Sequence, residues 1–348
     1  MKAMVLRAPR HLVQDQLPRC TQELVLDEVS RPRVDPGHVL VRVTHSGVCG
    51  TDLKIYNGAI RVDYPRIMGH EMVGEVVEAA GQFQPGDRVI VDPELYCGAC
   101  FHCRIGQTHL CPNGMLIGRD TNGGFAEYVA APASHVFHLP DAIDSSTAPL
   151  VQVLTTCLHA QRQVNIFPGE SVVVFGLGVT GQLHAQLAKA RGASPVVGVT
   201  RSAAKRALAE KLGADLTVPG DEDAIERVRA ATGGRGADVI IETTGVLPSV
   251  AASIAMARSG GRLLLFGIIT AAEGALPFYD LYFKELALIS ARVAKSEDYP
   301  ASLALLQRGI VKLEPLVSDV MPLDELNRAI GMLGSESAQR MKIILDHS

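Results

Sequence analysis

The sequence predicts an α/β protein of two domains, the first rich in β-structure and the second built on a doubly wound parallel sheet. Three observations carry this. The chain has 348 residues, more than one hydrophobic core usually supports. Its first third holds short β-like runs broken by Gly and Pro, at 39–43, 72–77, 88–91 and 127–130. No helical repeat separates them, which is the texture of a compact barrel-like domain. From about Ser145 strands alternate with helix-length amphipathic stretches. The run 171–175 precedes 179–191, 195–199 precedes 203–212, and 239–242 and 262–266 keep the rhythm. Such βαβ alternation implies parallel strands with helices on both faces. The expected division is 1–150 and 151–291, with 292–348 returning to the first domain.

Composition narrows the function. At 47% hydrophobic and 20% charged residues the chain is ordinary globular material. A net charge of -4 gives no electrostatic case for a nucleic-acid partner. Residues 1–12 lack a basic segment followed by an apolar stretch, so no signal peptide is expected. No apolar run is long enough to span a bilayer, and a cytoplasmic location follows by default. Seven cysteines then need a reason. An odd number in a reducing compartment is no disulfide framework, and four of them fall between 97 and 111. They point to metal.

The run 171–175 ends at Gly176-Leu-Gly178-Val-Thr-Gly181, and Val179, Leu183 and Leu187 then share one helical face. A glycine-rich turn alone means little; strand before and helix after make it a dinucleotide fingerprint. Gly176 permits the tight turn, Gly178 lets backbone approach a pyrophosphate, and Gly181 lets helix and strand pack closely. Val179 and Thr180 open the helix whose free N–H donors face the phosphates. The next strand ends at Thr200-Arg201, where an NAD site usually places an acid for the ribose 2′-hydroxyl. With no acid to repel it, a 2′-phosphate can pair with Arg201, helped by Lys205. This favours NADP(H) over NAD(H); the competing reading is two solvated charges at a helix start. Gly245, Gly267, Ile268 and Ile269 follow later strand ends and are expected to touch the cofactor through backbone or apolar packing.

Cys97-x2-Cys100-x2-Cys103-x7-Cys111 is the most specific signal. Four thiolates can close around one tetrahedral zinc and leave no open position, so this zinc is structural. An iron–sulfur cluster is disfavoured, because its cysteine run is shorter. A different ligand set lies at Cys49-Gly-Thr51-Asp52 and Gly69-His70-Glu71. An open zinc site needs only three protein ligands and water.

Through these motifs the chain resembles the zinc-dependent medium-chain dehydrogenase/reductase superfamily over essentially its whole length. The form Cys49-Gly-Thr51-Asp52 and the cysteine lobe bring it nearest the sorbitol and threonine dehydrogenase branch. The resemblance implies a GroES-like catalytic domain, a Rossmann domain and a C-terminal segment that rejoins the first. It implies two zinc ions per subunit, one structural and one catalytic, the latter held by Cys49 and His70 with Glu71 able to join them. Asp52 would fix the His70 tautomer, Thr51 would hand the substrate's proton outward, and Thr156 would support the nicotinamide. Arg292 resembles a position near cofactor or substrate; a plain surface arginine is the equal alternative. Relatives of this kind are commonly homodimers or homotetramers.

Two positions depart from that pattern. The third zinc ligand of such enzymes is usually Cys, Asp or Glu, and here the position is Gln152, whose neutral carbonyl is a poorer ligand. Weak binding by Gln152, replacement by Glu71 and low zinc occupancy are the three outcomes. Lys54 stands where many relatives carry a histidine that relays the proton. Cys157 is read as core or nicotinamide pocket, and Tyr56 and Ile60 as shaping the substrate pocket. The expected activity is hydride transfer between a secondary alcohol, such as a polyol or sugar alcohol, and NAD(P). The alternatives are a zinc-free quinone or enoyl reductase of the same fold, and a non-enzymatic, zinc-stabilised nucleotide-binding protein.

Overall fold

Six parallel strands build the second half of the chain, in the order Leu216–Pro219, Val196–Thr200, Val172–Phe175, Ala237–Glu242, Ala257–Leu265 and Ala287–Ser290. Val172, Val173 and Val174 are all fully buried, as a strand covered on both faces requires. The helices Val179–Ala190, Ala203–Lys211, Ala224–Ala231 and Leu247–Met256 supply the crossovers. Ser202 caps the second of them, its hydroxyl accepting from the Lys205 N–H at 3.3 Å. Strand order reverses beside Val172–Phe175, and in open α/β sheets ligands bind at the carboxyl ends of the strands at such a switch. At the opposite end Asp238 ties the sheet together. Its carboxylate accepts from Ser171 N (2.8 Å), Ser171 Oγ (2.6 Å) and Arg258 Nε (2.5 Å). Although burial opposes ionisation, the Ser171 and Arg258 donors hold the carboxyl down to about 2.

The computed structural model describes residues 1–8, 23–335 and 340–348. Two units result: Met1–Val153 with Lys295–Gln307 and Val317–Ser348, and Leu154–Ala294 with Arg308–Leu316. The chain after 292, read from sequence as one returning piece, is therefore shared, because Arg308–Leu316 groups with the parallel-sheet unit. Backbone bonding from Lys312 N to Gln186 Oε1 at 2.8 Å holds that piece to the helix Val179–Ala190.

The first unit is organised by the strand His38–Val48, which pairs antiparallel with Glu71–Glu78, Tyr128–Pro132 and the C-terminal strand Lys342–Asp346. Val39, Val41 and Val43 alternate inward to meet Met72, Val76, Val89, Val91 and Val129. Lys342–Asp346 carries Val317–Pro322 beside it in parallel. The segment Lys295–Gln307 is fastened to the same unit by Asp92, which accepts from Ser296 Oγ at 2.5 Å, and by the ring of Tyr299 stacked on Phe137 at 4.8 Å. No helix among the described residues is long and apolar enough to cross a membrane.

Candidate active site and metal centres

The cysteine lobe is built from short pieces: the strands Glu94–Leu95 and Met115–Leu116, the helix Phe101–Arg104 and a turn at Thr108–Leu110. Phe101, Ile105 and Met115 are exposed, at 70%, 51% and 44%, so the lobe has little apolar core of its own. The Sγ atoms of Cys97, Cys100, Cys103 and Cys111 all lie within 4.8 Å of one another. Neighbouring pairs stand at 3.5–3.8 Å. A tetrahedral site with Zn–S bonds of about 2.3 Å needs sulfurs about 3.8 Å apart. The donor set fits that ion.

Antiparallel pairing of His38–Val48 with Glu71–Glu78 sets Gly47 opposite Glu71. It thereby brings Cys49, one step past the first strand, to His70, one step before the second. The ligand atoms of Cys49, His70 and Glu71 lie within 4.8 Å of one another. Cys49 is the N-cap of the helix Gly50–Tyr56, and Asp52 in its first turn serves both neighbours. One Asp52 oxygen accepts from the Cys49 N–H at 2.8 Å; the other stands 3.6 Å from His70 Nδ1. A carboxylate beside Nδ1 is what a carboxylate–histidine–zinc arrangement calls for. Burial alone would lower the His70 pKa, but the Asp52 carboxylate and the Cys49 sulfur raise it well above the usual value.

Glu71 is fully buried and has a partner that sequence reasoning missed. Lys342, from the C-terminal strand, donates to Glu71 Oε1 at 2.8 Å, to Val48 O at 3.2 Å, and sits 2.6 Å from Glu71 Oε2. Its only local signal was a lone lysine opening the apolar run Lys342-Ile-Ile-Leu-Asp346. Gly47 is required here, because an added Cβ would overlap the Glu71 carboxylate. Thr51 is half-buried beside Asp52, and Lys54 lies three residues further along the same helix. Gln152 is buried in the first turn of Leu150–Val164. Tyr56 and Ile60 are packed with Leu53 against an apolar cluster that includes Ile55, Leu326 and Ile330.

In the parallel-sheet unit the glycine loop has the expected shape. Gly176 takes φ +93°, and a Cβ there would come within 2.6 Å of Thr243 Oγ1. A Cβ on Gly181 would overlap the Gly176 carbonyl oxygen, whereas one on Gly178 would meet nothing within 4 Å. The loop is thus closed toward the sheet and open where a pyrophosphate would lie, with Val179 and Thr180 starting the helix beside it. Gly245 has φ +70°, and a Cβ there would approach the Ile268 carbonyl to 2.6 Å; a Cβ on Gly267 would overlap the Gly245 nitrogen. Ile268 is exposed, while Ile269 packs on the core. Thr200 is half-buried at its strand end and Arg201 exposed after it, with Lys205 half-buried in the following helix. Sequence reasoning passed over Arg206, whose Nη1 donates to Thr200 O at 2.8 Å and Arg201 O at 3.0 Å, fixing this turn. Thr156 is half-buried, Arg292 exposed, and Cys157 buried with its thiol 3.8 Å from Thr180 O.

Residues 35–141 match the model of the alcohol dehydrogenase GroES-like domain, and 179–308 that of the zinc-binding dehydrogenases. The 2-dehydro-3-deoxy-L-galactonate 5-dehydrogenase of Pseudoalteromonas atlantica is 34% identical over 89% of this chain and 92% of its own. An L-threonine 3-dehydrogenase of Pyrococcus abyssi is 36% identical over 84% and 86%. Among solved structures, a putative zinc-binding dehydrogenase of Sinorhizobium meliloti bound to NADP superposes with a TM-score of 0.89 over 99% of both chains, at 31% identity. The chain belongs to the zinc-dependent alcohol dehydrogenases of the medium-chain dehydrogenase superfamily. Its reaction is accordingly hydride transfer between a secondary alcohol and a nicotinamide dinucleotide.

Proposed function

We propose that this enzyme oxidises a polyol or a sugar-derived secondary alcohol, reversibly, with NADP(H) preferred over NAD(H), and holds two zinc ions per chain. The observation that carries the reading is the Cys49–His70–Glu71 cluster with Asp52 serving Cys49 and His70. A zinc ion held there supplies Lewis acidity that lowers the pKa of an alcohol hydroxyl. Asp52 presents His70 in the tautomer that offers Nε2, and keeps the Cys49 backbone in register with it. Thr51, next to Cys49's helix cap, passes the substrate proton outward. Lys342 neutralises Glu71 and so allows that carboxylate to stay buried near the site. Gln152 is proposed as a further, weak ligand through its amide oxygen. Cys97, Cys100, Cys103 and Cys111 would hold the second zinc, which only stiffens their lobe.

Preference for the 2′-phosphorylated cofactor rests on Thr200 and Arg201, where the strand ends on a threonine instead of an acid and an exposed cation follows. The similar sugar-acid dehydrogenase of Pseudoalteromonas atlantica supports the substrate class. A panel of polyols, sugar acids and secondary alcohols, each assayed with NADP and NAD, tests both points. At least tenfold higher kcat/KM with NADP is expected; a clear preference for NAD would overturn the reading of Thr200 and Arg201.

We place the enzyme in the cytoplasm, where a reducing environment keeps a four-thiolate lobe reduced. Self-association through the parallel-sheet unit is also proposed. Ala287–Ser290 is the edge strand of the six-stranded sheet, paired on one side with Ala257–Leu265, and Phe278, Tyr279, Tyr282 and Phe283, shortly before it in the chain, are 62–77% exposed. An edge strand and such an apolar patch invite a second copy of the chain. Light scattering should give the mass of a dimer or tetramer, and a monomer at micromolar concentration would contradict this.

A further inference from the structure

The fingerprint glycines explain how the dinucleotide loop can bend, but something must hold it where it bends. The strand Ala237–Glu242 ends on a carboxylate that is fully buried. Burying an ionisable group is costly unless its oxygens are satisfied, and here the satisfying donors all come from the turn that follows. Glu242 Oε1 accepts from Thr244 N at 2.8 Å and from the Thr244 hydroxyl. Oε2 accepts from Gly245 N at 3.0 Å. The carboxylate therefore folds Thr243–Gly245 back over its own strand end.

That turn touches both neighbouring loops. Thr243 Oγ1 donates to Phe175 O at 3.1 Å and to Gly176 O at 3.0 Å, gripping the first glycine of the fingerprint. On its other side Gly245 meets Gly267 and Ile268 so closely that neither Gly245 nor Gly267 has room for a Cβ. The Glu242 carbonyl completes the junction by accepting from Phe266 N and Gly267 N, both at 2.9 Å. Three turns at the carboxyl edge of the sheet thus meet at Glu242: its carboxylate shapes its own turn, Thr243 in that turn holds the Gly176 loop, and its backbone carbonyl anchors the third.

We propose that Glu242 is a positioning residue for the dinucleotide: its carboxylate shapes the Thr243–Gly245 turn, and through Thr243 sets the Gly176 loop against which the pyrophosphate lies. The inference rests on the proposed cofactor site at that loop. Glutamine fills the same volume but must turn an NH2 donor toward one of the backbone N–H groups, so the turn loses an acceptor it needs.

The test is NADPH binding to the purified zinc-loaded enzyme, followed by the change in the fluorescence of the reduced nicotinamide itself, together with steady-state kinetics. Glu242→Gln should weaken NADPH binding at least tenfold and raise the cofactor KM equally. At saturating cofactor kcat should stay within threefold, and the alcohol KM should not move. Thr243→Val removes the clasp on Gly176 while leaving Glu242 and its bonds in place. It should weaken binding by about threefold to tenfold, and it keeps the question answerable if the first variant folds poorly. Cofactor affinity within twofold of wild type in folded Glu242→Gln, or in Thr243→Val, would overturn the proposal. Failure of the wild-type protein to bind either dinucleotide would instead refute the cofactor site itself.

Discussion

Cys49→Ser should reduce kcat/KM by well over 100-fold while the protein remains folded. The argument runs from geometry to magnitude. Cys49 is one of three side chains whose ligand atoms converge within 4.8 Å, and it is the only sulfur donor among them. Loss of an outer partner of a metal ligand typically costs about 10–100-fold in activity or metal affinity, so loss of a ligand should cost more. Asp52→Asn supplies the comparison. It keeps all three ligands but weakens the acceptor that serves His70 and the Cys49 N–H, and a loss of about 10–100-fold is expected. Stability should change little for Cys49→Ser, because the residue is half-buried at a helix N-cap, a position that serine also fills well. A shift in Tm of less than about 4 °C corresponds to about 1 kcal/mol in a chain of this kind. Full alcohol oxidation by folded Cys49→Ser would remove the metal-assisted reading.

Cys100→Ser should do the opposite, leaving the chemistry and damaging the fold. The lobe exposes Phe101, Ile105 and Met115 and buries little of its own, so four sulfurs around one ion are what defines it. Binding free energies of structural zinc run to about 10–16 kcal/mol in small zinc modules. Losing even part of that should lower Tm by about 5 °C or more, open the segment 94–116 to proteolysis and release one zinc equivalent. At a temperature where the variant stays folded, kcat should fall by less than about tenfold, because none of the lobe cysteines belongs to the Cys49 cluster. Loss of activity as severe as in Cys49→Ser, with Tm unchanged, would contradict a structural role.

Much of this was legible in the residues, and the rest was not for identifiable reasons. The parallel sheet was readable because each apolar strand is followed by its amphipathic helix, a local pattern. The glycine loop was readable because its glycines stand at a fixed spacing between a strand and a helix, and the structure leaves no room for a Cβ at Gly176 or Gly181 while Gly178 faces open space. Lys342 was hidden. It reaches Glu71 only because Ile343 pairs with Val48 and Ile344 with Gly47, a register between strands almost three hundred residues apart. No local rule encodes such a pairing. Arg206 was overlooked for a different reason: one more cation in a helix rich in charge carries no sign that it will bend back to the Thr200 carbonyl.

Zinc content per chain is the most direct test of two metal centres with separate tasks. Elemental analysis of the wild-type protein, after dialysis against metal-free buffer, should give two equivalents. The double variant Cys49→Ala/His70→Ala should retain one equivalent and a wild-type Tm but no activity. Two equivalents in the folded double variant, or activity surviving with only the lobe zinc bound, would contradict a metal-assisted reaction at Cys49 and His70.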